Sequence, residues 1–253
     1  MTEVPQALAG LNVACFGGYA AGPHIGKVLA NYGARVVHVE AKERPDGFRL
    51  QYPPFAGNRP GINRGACFSY FNDSKYGVTI DLKKPAGVEL ARRLCRWCDI
   101  VIENMRPGVM ERLGLGFAAL SKINPRLVML ATCNMGQTGP RADQPGFGSQ
   151  LSALGGFCGM TGFPDGPPML LYGPYIDFIA SALGGAAVLA GVIRARRSGR
   201  APISISRNTN AASCSWAPRC RIISPAATSP RAAATRIATP RHTARLPAPR
   251  AGG

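Results

Sequence analysis

Residues 11–40 constrain the fold more tightly than any other stretch: LNVACFGGYAAGPHIGKVLANYGARVVHVE. LNVACFGG is apolar, ends in glycines and reads as a buried strand. AAGPHIGKVLANYG follows with helical spacing, Pro23 near its start and Gly33 at its close, the positions where those residues suit a helix. ARVVHVE is a second strand, ending on Glu40. The result is a β-α-β unit with a glycine-bearing turn, half of a doubly wound sheet. The same alternation continues. Residues 41–65 are loop-rich. KYGVTIDL, DIVIENM and PRLVMLATCNMG read as strands, PAGVELARRLCRW as an amphipathic helix with Pro85 in its first turn, and MERLGLGFAALSKIN as a helical stretch. The last strand runs into a polar loop, GQTGPRADQPGFG. Strands alternating with helices predict an α/β fold, a Rossmann-like doubly wound parallel sheet. There is no internal repeat.

At 253 residues and 46% hydrophobic, the chain can build a core for one large domain or two small ones. No apolar h-region follows the start, so no secretory signal is expected. Eight Cys are scattered without a framework and are expected as reduced thiols in the cytoplasm. Cys95 and Cys98 have zinc or redox spacing, but no second pair lies at a ligand-like distance. They are expected as small helix residues, and no metal is expected. The formal charge of +17 suggests a polyanionic partner. Its placement is uneven: from Ala201 on there are eight Arg and no Lys, Asp or Glu, so that segment carries +8 and leaves +9 for residues 1–200. A moderately basic body fits a phosphorylated ligand as well as a nucleic acid.

Two local features each admit two readings. GGYAAG followed by Glu40 looks like a dinucleotide fingerprint, but Gly17, Gly18 and Gly22 do not give GxGxxG. The alternatives are a tight strand-to-helix turn and an NAD-dependent dehydrogenase. YGPYIDFIASALGGAAVLAG, residues 172–191, holds a single charge, Asp177. It is either a helix N-cap or a nucleophile. The run beyond it is uncharged only from Phe178 to Ile193, short for a membrane span, so a buried helix is expected and a membrane is not.

Several segments together resemble the class III CoA-transferase family (CaiB/BaiF type, with the formyl-CoA and carnitine CoA-transferases). They are AGPHIGKVLANYGARVVHVE, FNDSKYGVTIDLKKPAG, CDIVIENMRPGVMERLGLGFAALSKINPRLV, GQTGP, TGFPDGPP, YGPYIDFIASALGG and VIRARRSGR, in the family's order over residues 10–200. The resemblance implies a large α/β domain over 1–200, an interlocked homodimer, and transfer of CoA between carboxylic acids through an aspartyl-CoA thioester. It places the nucleophile at Asp177, so cap and nucleophile can be one residue. It implies CoA contacts at Ala20 and Ala21 in the first turn, and at Asn72, Asp73, Ser74 and Lys75 for the nucleotide end. Further contacts fall at Asn104, Met105, Arg106 and Arg112, and at Asn134, Met135, Gly136 and Gln137. The partners implied are an acyl-CoA and a carboxylic acid acceptor, with no metal. This chain departs from formyl-CoA transferase at Ala20, where that enzyme has glutamine, and at Ala41, where it has a basic residue that Lys42 or Arg44 would have to replace. Both weigh against formyl-CoA as donor. The related racemases use a histidine where this chain has Phe147, which removes an acyl-CoA racemase's acid–base residue.

After residue 200 the resemblance stops. Where the family continues with a segment like HIDISQYE, this chain reads APISISRNTNAAS and then Ala, Arg, Pro, Ser and Thr with no hydrophobic period. Such composition suits a disordered basic arm, and with it a non-enzymatic nucleic-acid binder. A frameshift gives the same look. Back-translated Pro202 to Asn210, read two bases later, spells HIDISQYE. Ala233 to Ala248, in that same frame, also gives a family-like segment. Residues 201–253 are therefore expected to be a frameshift-derived, irregular tail whose charge says nothing about partners. The chain is then truncated relative to the family, with dimerisation and activity in question.

Overall fold

The computed structural model describes residues 6–163, 165–170, 175–199 and 203–207. Its strands are β1 (Asn12–Cys15), β2 (Arg35–Glu40), β3 (Tyr76–Thr79), β4 (Ile100–Glu103), β5 (Val128–Cys133) and β6 (Ile203–Arg207). Its helices are α1 (Ala21–Asn31), α2 (Ala66–Asn72), α3 (Pro85–Trp97), α4 (Val109–Arg112), α5 (Phe117–Ile123), α6 (Gly148–Leu154) and α7 (Tyr175–Ser198). The strands form one sheet in the order β3-β2-β1-β4-β5-β6, every pair parallel. Val13 pairs with Val36 on one side and Ile100 on the other.

Apart from Asn12, Glu103 and Thr132, the central strands β1, β4 and β5 are apolar because both faces of the sheet are covered. Side chains alternate across a strand. Val13, Cys15, Ile100, Ile102, Val128 and Leu130 pack with Ile25 and Leu29 of α1 and Val188 and Val192 of α7. Ala14, Val101 and Met129 pack on the other face with Ala91 and Cys95 of α3, Met110 of α4 and Leu120 of α5. α3 forms as expected from its Pro85 start, and Gly33 (φ 98°) closes the turn after α1.

The small residues of α7 have a steric reason. A Cβ on Gly184 would lie 2.8 Å from Ile25 Cδ1, and one on Gly191 2.8 Å from Val128 Cγ1. These contacts, with Ser181 against Ala21, run α7 alongside α1 in the same direction, so both helices begin at the same edge of the sheet. By length and composition α7 could cross a membrane, contrary to the expectation that it is too short. In this fold its buried residues pack on the sheet and α1.

Other expectations are also corrected. Asp177 is the third residue of α7, not its N-cap. The helical stretch 110–124 is two helices, broken where Gly114 takes φ 67°. The short helices α2 and α6 were not anticipated; α2 has no side-chain cap. β6 lies inside the segment expected to be irregular, and it pairs with β5 from Met129↔Ile203 to Cys133↔Arg207. The remainder of that tail, from 208 on, lies outside the described residues. Cys95 and Cys98 are free, buried thiols that desolvation pushes up, Cys95 to about 12, which suits neither redox chemistry nor easy metal ligation. Among the described residues no cluster of His, Cys, Asp and Glu could hold a metal ion.

Candidate active site

The sheet winds outward in both directions from the β1–β4 pair. The carboxyl ends of these two strands therefore diverge into loops that leave a crevice, the usual ligand site of an open parallel sheet. Gly17 to Ala20 leave β1; Asn104 to Arg106 leave β4. Asn104 ties the two together: its Oδ1 accepts the Gly18 N–H at 2.9 Å and its Nδ2 donates to the Gly18 carbonyl at 2.8 Å. A Cβ at Gly17 would come within 2.7 Å of Asn104 Oδ1, so the glycine is a packing requirement of this clasp. Ala20 and Ala21 are buried and open α1 without any side-chain cap. The first N–H groups of a helix have no intrahelical partner and point out along its axis. Here they point to the crevice edge.

Asp177 comes to the same edge through its neighbours. Ser181, one turn on, bonds the Asp177 carbonyl at 2.6 Å and reaches the Ala21 carbonyl at 3.1 Å. Phe178 packs with Ala20, Phe48 and Phe71. Ile176 packs with Met135, Leu151 and Phe157, which draws in the loop after β5. Desolvation pushes the Asp177 carboxyl up from 3.8 to about 7. The first-turn position favours its ionised form, but burial outweighs that.

The residues implied as CoA contacts fall into two groups. Ala20, Ala21, Asn104, Met105, Asn134, Met135, Gly136 and Gln137 lie at the crevice edge. The Met105 N–H donates to Glu103 Oε2 at 2.7 Å, Gln137 Nε2 donates to Glu103 Oε1 at 3.1 Å, and Asn134 Nδ2 donates to the Gly146 carbonyl. Gly136 takes φ 87°. Arg106 and Arg112 are exposed beyond β4, and a guanidinium there has the fork geometry to take an anion. Asn72 to Lys75 instead lead into β3 and pack on α1. Asn72 and Asp73 end α2, Ser74 takes φ 63°, and Asp73 pairs with Lys27 at 3.1 Å. Lys75 is not the free point charge that phosphate binding would want. Its ammonium donates to the Pro23 carbonyl at 2.6 Å, the Phe71 carbonyl at 2.9 Å and Asn72 Oδ1 at 2.8 Å, and burial lowers its pKa.

Two carboxylates escaped the sequence reading. Glu103 ends the apolar strand β4, is 3% exposed, and is pushed up to about 7 by desolvation. Asp46 is 7% exposed and accepts the N–H groups of Tyr19 at 3.0 Å and Phe48 at 2.8 Å. A charge closing an all-apolar strand was a usable signal for Glu103; Asp46, in a polar loop, gave none.

The dehydrogenase alternative needs Glu40 free for a ribose. Its oxygens are held by Arg49 Nε at 2.8 Å, Arg49 Nη2 at 2.7 Å and the Asp46 N–H at 2.9 Å. Phe147, the position of a racemase histidine, carries a ring that packs edge-on against Tyr19. Neither alternative is favoured.

Comparison with known proteins agrees. The model of CoA-transferase family III matches residues 8–217, past the boundary at 200. The chain is 36% identical over 203 residues to the succinate–glutarate CoA-transferase of Agrobacterium fabrum, covering 79% of this chain and 51% of that protein. It is 36% identical over 199 residues to the succinyl-CoA–D-citramalate CoA-transferase of Chloroflexus aurantiacus, covering 79% and 48%. The chain thus spans about half the length of these curated relatives. Among solved structures, a CaiB/BaiF family protein from Brucella suis superposes with a TM-score of 0.79 at 30% identity, over 86% of this chain and 57% of that one. A hypothetical protein from Mycobacterium tuberculosis gives 0.76 at 30%, over 85% and 58%. On sequence and fold together, the chain belongs to CoA-transferase family III.

Proposed function

We propose that the protein moves CoA between carboxylic acids, with Asp177 as the nucleophile. One observation carries this reading: the only carboxylate of α7's apolar run stands, half-buried and displaced to about 7, at the helix start that Ser181 ties to the α1 opening. In the ionised form such a carboxylate is more basic than an exposed one and attacks a thioester carbonyl. The C–S bond breaks, CoA thiolate leaves, and a mixed anhydride forms. The thiolate then attacks the aspartyl carbonyl, releasing the first acid as its carboxylate and leaving an aspartyl-CoA thioester. The acceptor carboxylate attacks that thioester, and the freed thiolate takes the new acyl group, which restores Asp177. No water or metal enters the balance. Splitting the transfer this way replaces one hard step with easier ones. The uncapped α1 N–H groups suit a developing oxyanion or the CoA arm.

In this reading the crevice residues from Ala20 to Gln137 hold the pantetheine, and Arg106 and Arg112 serve the phosphates. Asn72 to Lys75 shape α1 beside the nucleotide end. In this reading the protein is cytoplasmic, without nucleic-acid or membrane partners, and the homodimer is a property of the intact family chain. Succinyl-CoA is the first donor to test, since the relatives above are named for succinate or its CoA ester. Isotope-labelled free dicarboxylic acid should appear in the CoA ester with the native chain and not with Asp177→Ala; label transfer that survives the substitution refutes the assignment.

We also propose that residues 1–200 are the family's large-domain portion and that the frame shifts near Arg200. Resequencing the gene across the codons for Arg197 to Asn210 tests this. One base that restores HIDISQYE and a long open frame supports it; an unbroken frame through the tail, with none in the alternative register, removes it.

A further inference from the structure

Tyr19 is one of three non-glycine residues with positive φ among the described residues, at 61°, and it sits between the Gly18 clasp and the α1 opening. A bulky residue in that region is strained and persists only where its surroundings hold it. The holding group is identifiable. Asp46 Oδ2 accepts the Tyr19 N–H at 3.0 Å while Oδ1 accepts the Phe48 N–H at 2.8 Å. Asp46 is fixed in turn, because its own N–H donates to Glu40 Oε2 at 2.9 Å. Glu40 is gripped by the Arg49 fork, and Arg49 is anchored by the Ile62 carbonyl and Asn63 Oδ1, each at 3.0 Å, with its guanidinium 3.4 Å from the centre of the Phe68 ring. The Tyr19 ring is held as well: its hydroxyl donates to Gln51 at 2.9 Å, and it lies edge-on to Phe48.

We infer that Asp46 is a positioning residue of the CoA site: through the Tyr19 N–H it holds the Tyr19–Ala20 turn in its left-handed form, so that the uncapped start of α1 faces the crevice. The inference rests on the proposed CoA-transferase reading, because it is CoA that the aimed turn would receive. Asp46 touches no substrate. Its effect passes through Tyr19, while the chain Arg49–Glu40–Asp46 supplies the stiffness. A carboxylate is required because two backbone donors need two acceptor oxygens; an amide offers one acceptor and turns a donor toward the other N–H.

Hydrogen exchange of the full chain tests the device without any ligand. Asp46→Asn should speed exchange of the Tyr19 amide at least tenfold while amides in β1 and β4 keep their protection. Titration with free CoA then reads the consequence: Kd should rise about five- to tenfold. In a Tyr19→Gly background, where glycine takes φ 61° without strain, the same substitution should weaken binding by less than twofold. Unchanged exchange at Tyr19 overturns the proposal whether or not CoA binds. So does an Asp46→Asn effect on CoA affinity of equal size in both backgrounds, which is what a merely structural role would give. A native chain that binds no CoA, yet shows the predicted exchange, defeats the functional reading and the word "CoA" in the proposal, and leaves Asp46 as the group that holds the turn.

Discussion

Replacing Asp177 with Asn should make the protein more stable above pH 7 while removing its nucleophile. Burial displaces this carboxyl from 3.8 to about 7. Between those values the native state retains a proton that the unfolded chain has released, so stability falls as pH rises through that window. Each pKa unit corresponds to about 1.4 kcal/mol, so the whole displacement sets a ceiling of about 4 kcal/mol at pH 8. Asp177 is half-buried, and solvent screening and local relaxation bring the expected cost to about 1–3 kcal/mol. Asn keeps the shape and has no proton to lose. Urea unfolding of both proteins at pH 5 and pH 8 measures the effect. The advantage of Asp177→Asn should be larger at pH 8 by about 1–2 kcal/mol, since at pH 5 most of the native carboxyl is still neutral. A variant no more stable than the native chain at pH 8, or an advantage equal at both pH values, would refute the claim that the site holds its carboxylate at an energetic cost.

The same displacement predicts that acyl transfer rises with pH through about 7 as Asp177 ionises, and a pH–rate profile flat from 5 to 9 would contradict it. In α7, Gly185→Ala should stabilise by about 0.5–1 kcal/mol, because nothing lies within 4 Å of the added Cβ. Gly191→Val should destabilise by about 1–3 kcal/mol against Val128, and thermal melts of the two compare them directly. Asn104→Ala strips both clasp bonds from Gly18 and should weaken CoA binding about tenfold, at about 1.4 kcal/mol, by calorimetric titration. Thiol labelling under native conditions should reach the partly exposed Cys67 and Cys158 and spare the buried Cys15, Cys95 and Cys98 until the chain unfolds.

How much of this was legible in the sequence differs by element. The alternation of apolar runs with helical periods carried the parallel sheet, because strands buried on both faces leave a long, unambiguous hydrophobic signal. α2 and α6 left none: at seven residues each they show no period and are held mainly by tertiary packing, α2 without a side-chain cap and α6 with only the Phe147 N–H donating to Gln150 Oε1 at its start. Asp177 stood out as a single charge before a small-residue run, yet its displaced pKa depends on the rings and strands folded around it. Lys75 shows the opposite failure. A lysine in a polar segment looks like a free cation, and only the fold reveals that three carbonyl-type acceptors from α1 and α2 surround it. Asp46 was silent for the same reason, since its partner Tyr19 lies 27 positions away.

The central claim is that Asp177 becomes covalently bound to CoA. Incubation with succinyl-CoA, proteolysis without thiols and mass mapping of the peptides tests it most directly. The account predicts a CoA adduct, formed with loss of the succinyl group, on the peptide that carries Asp177 and absent from Asp177→Asn. CoA on another residue, or succinyl exchange with no adduct on that peptide, would contradict it.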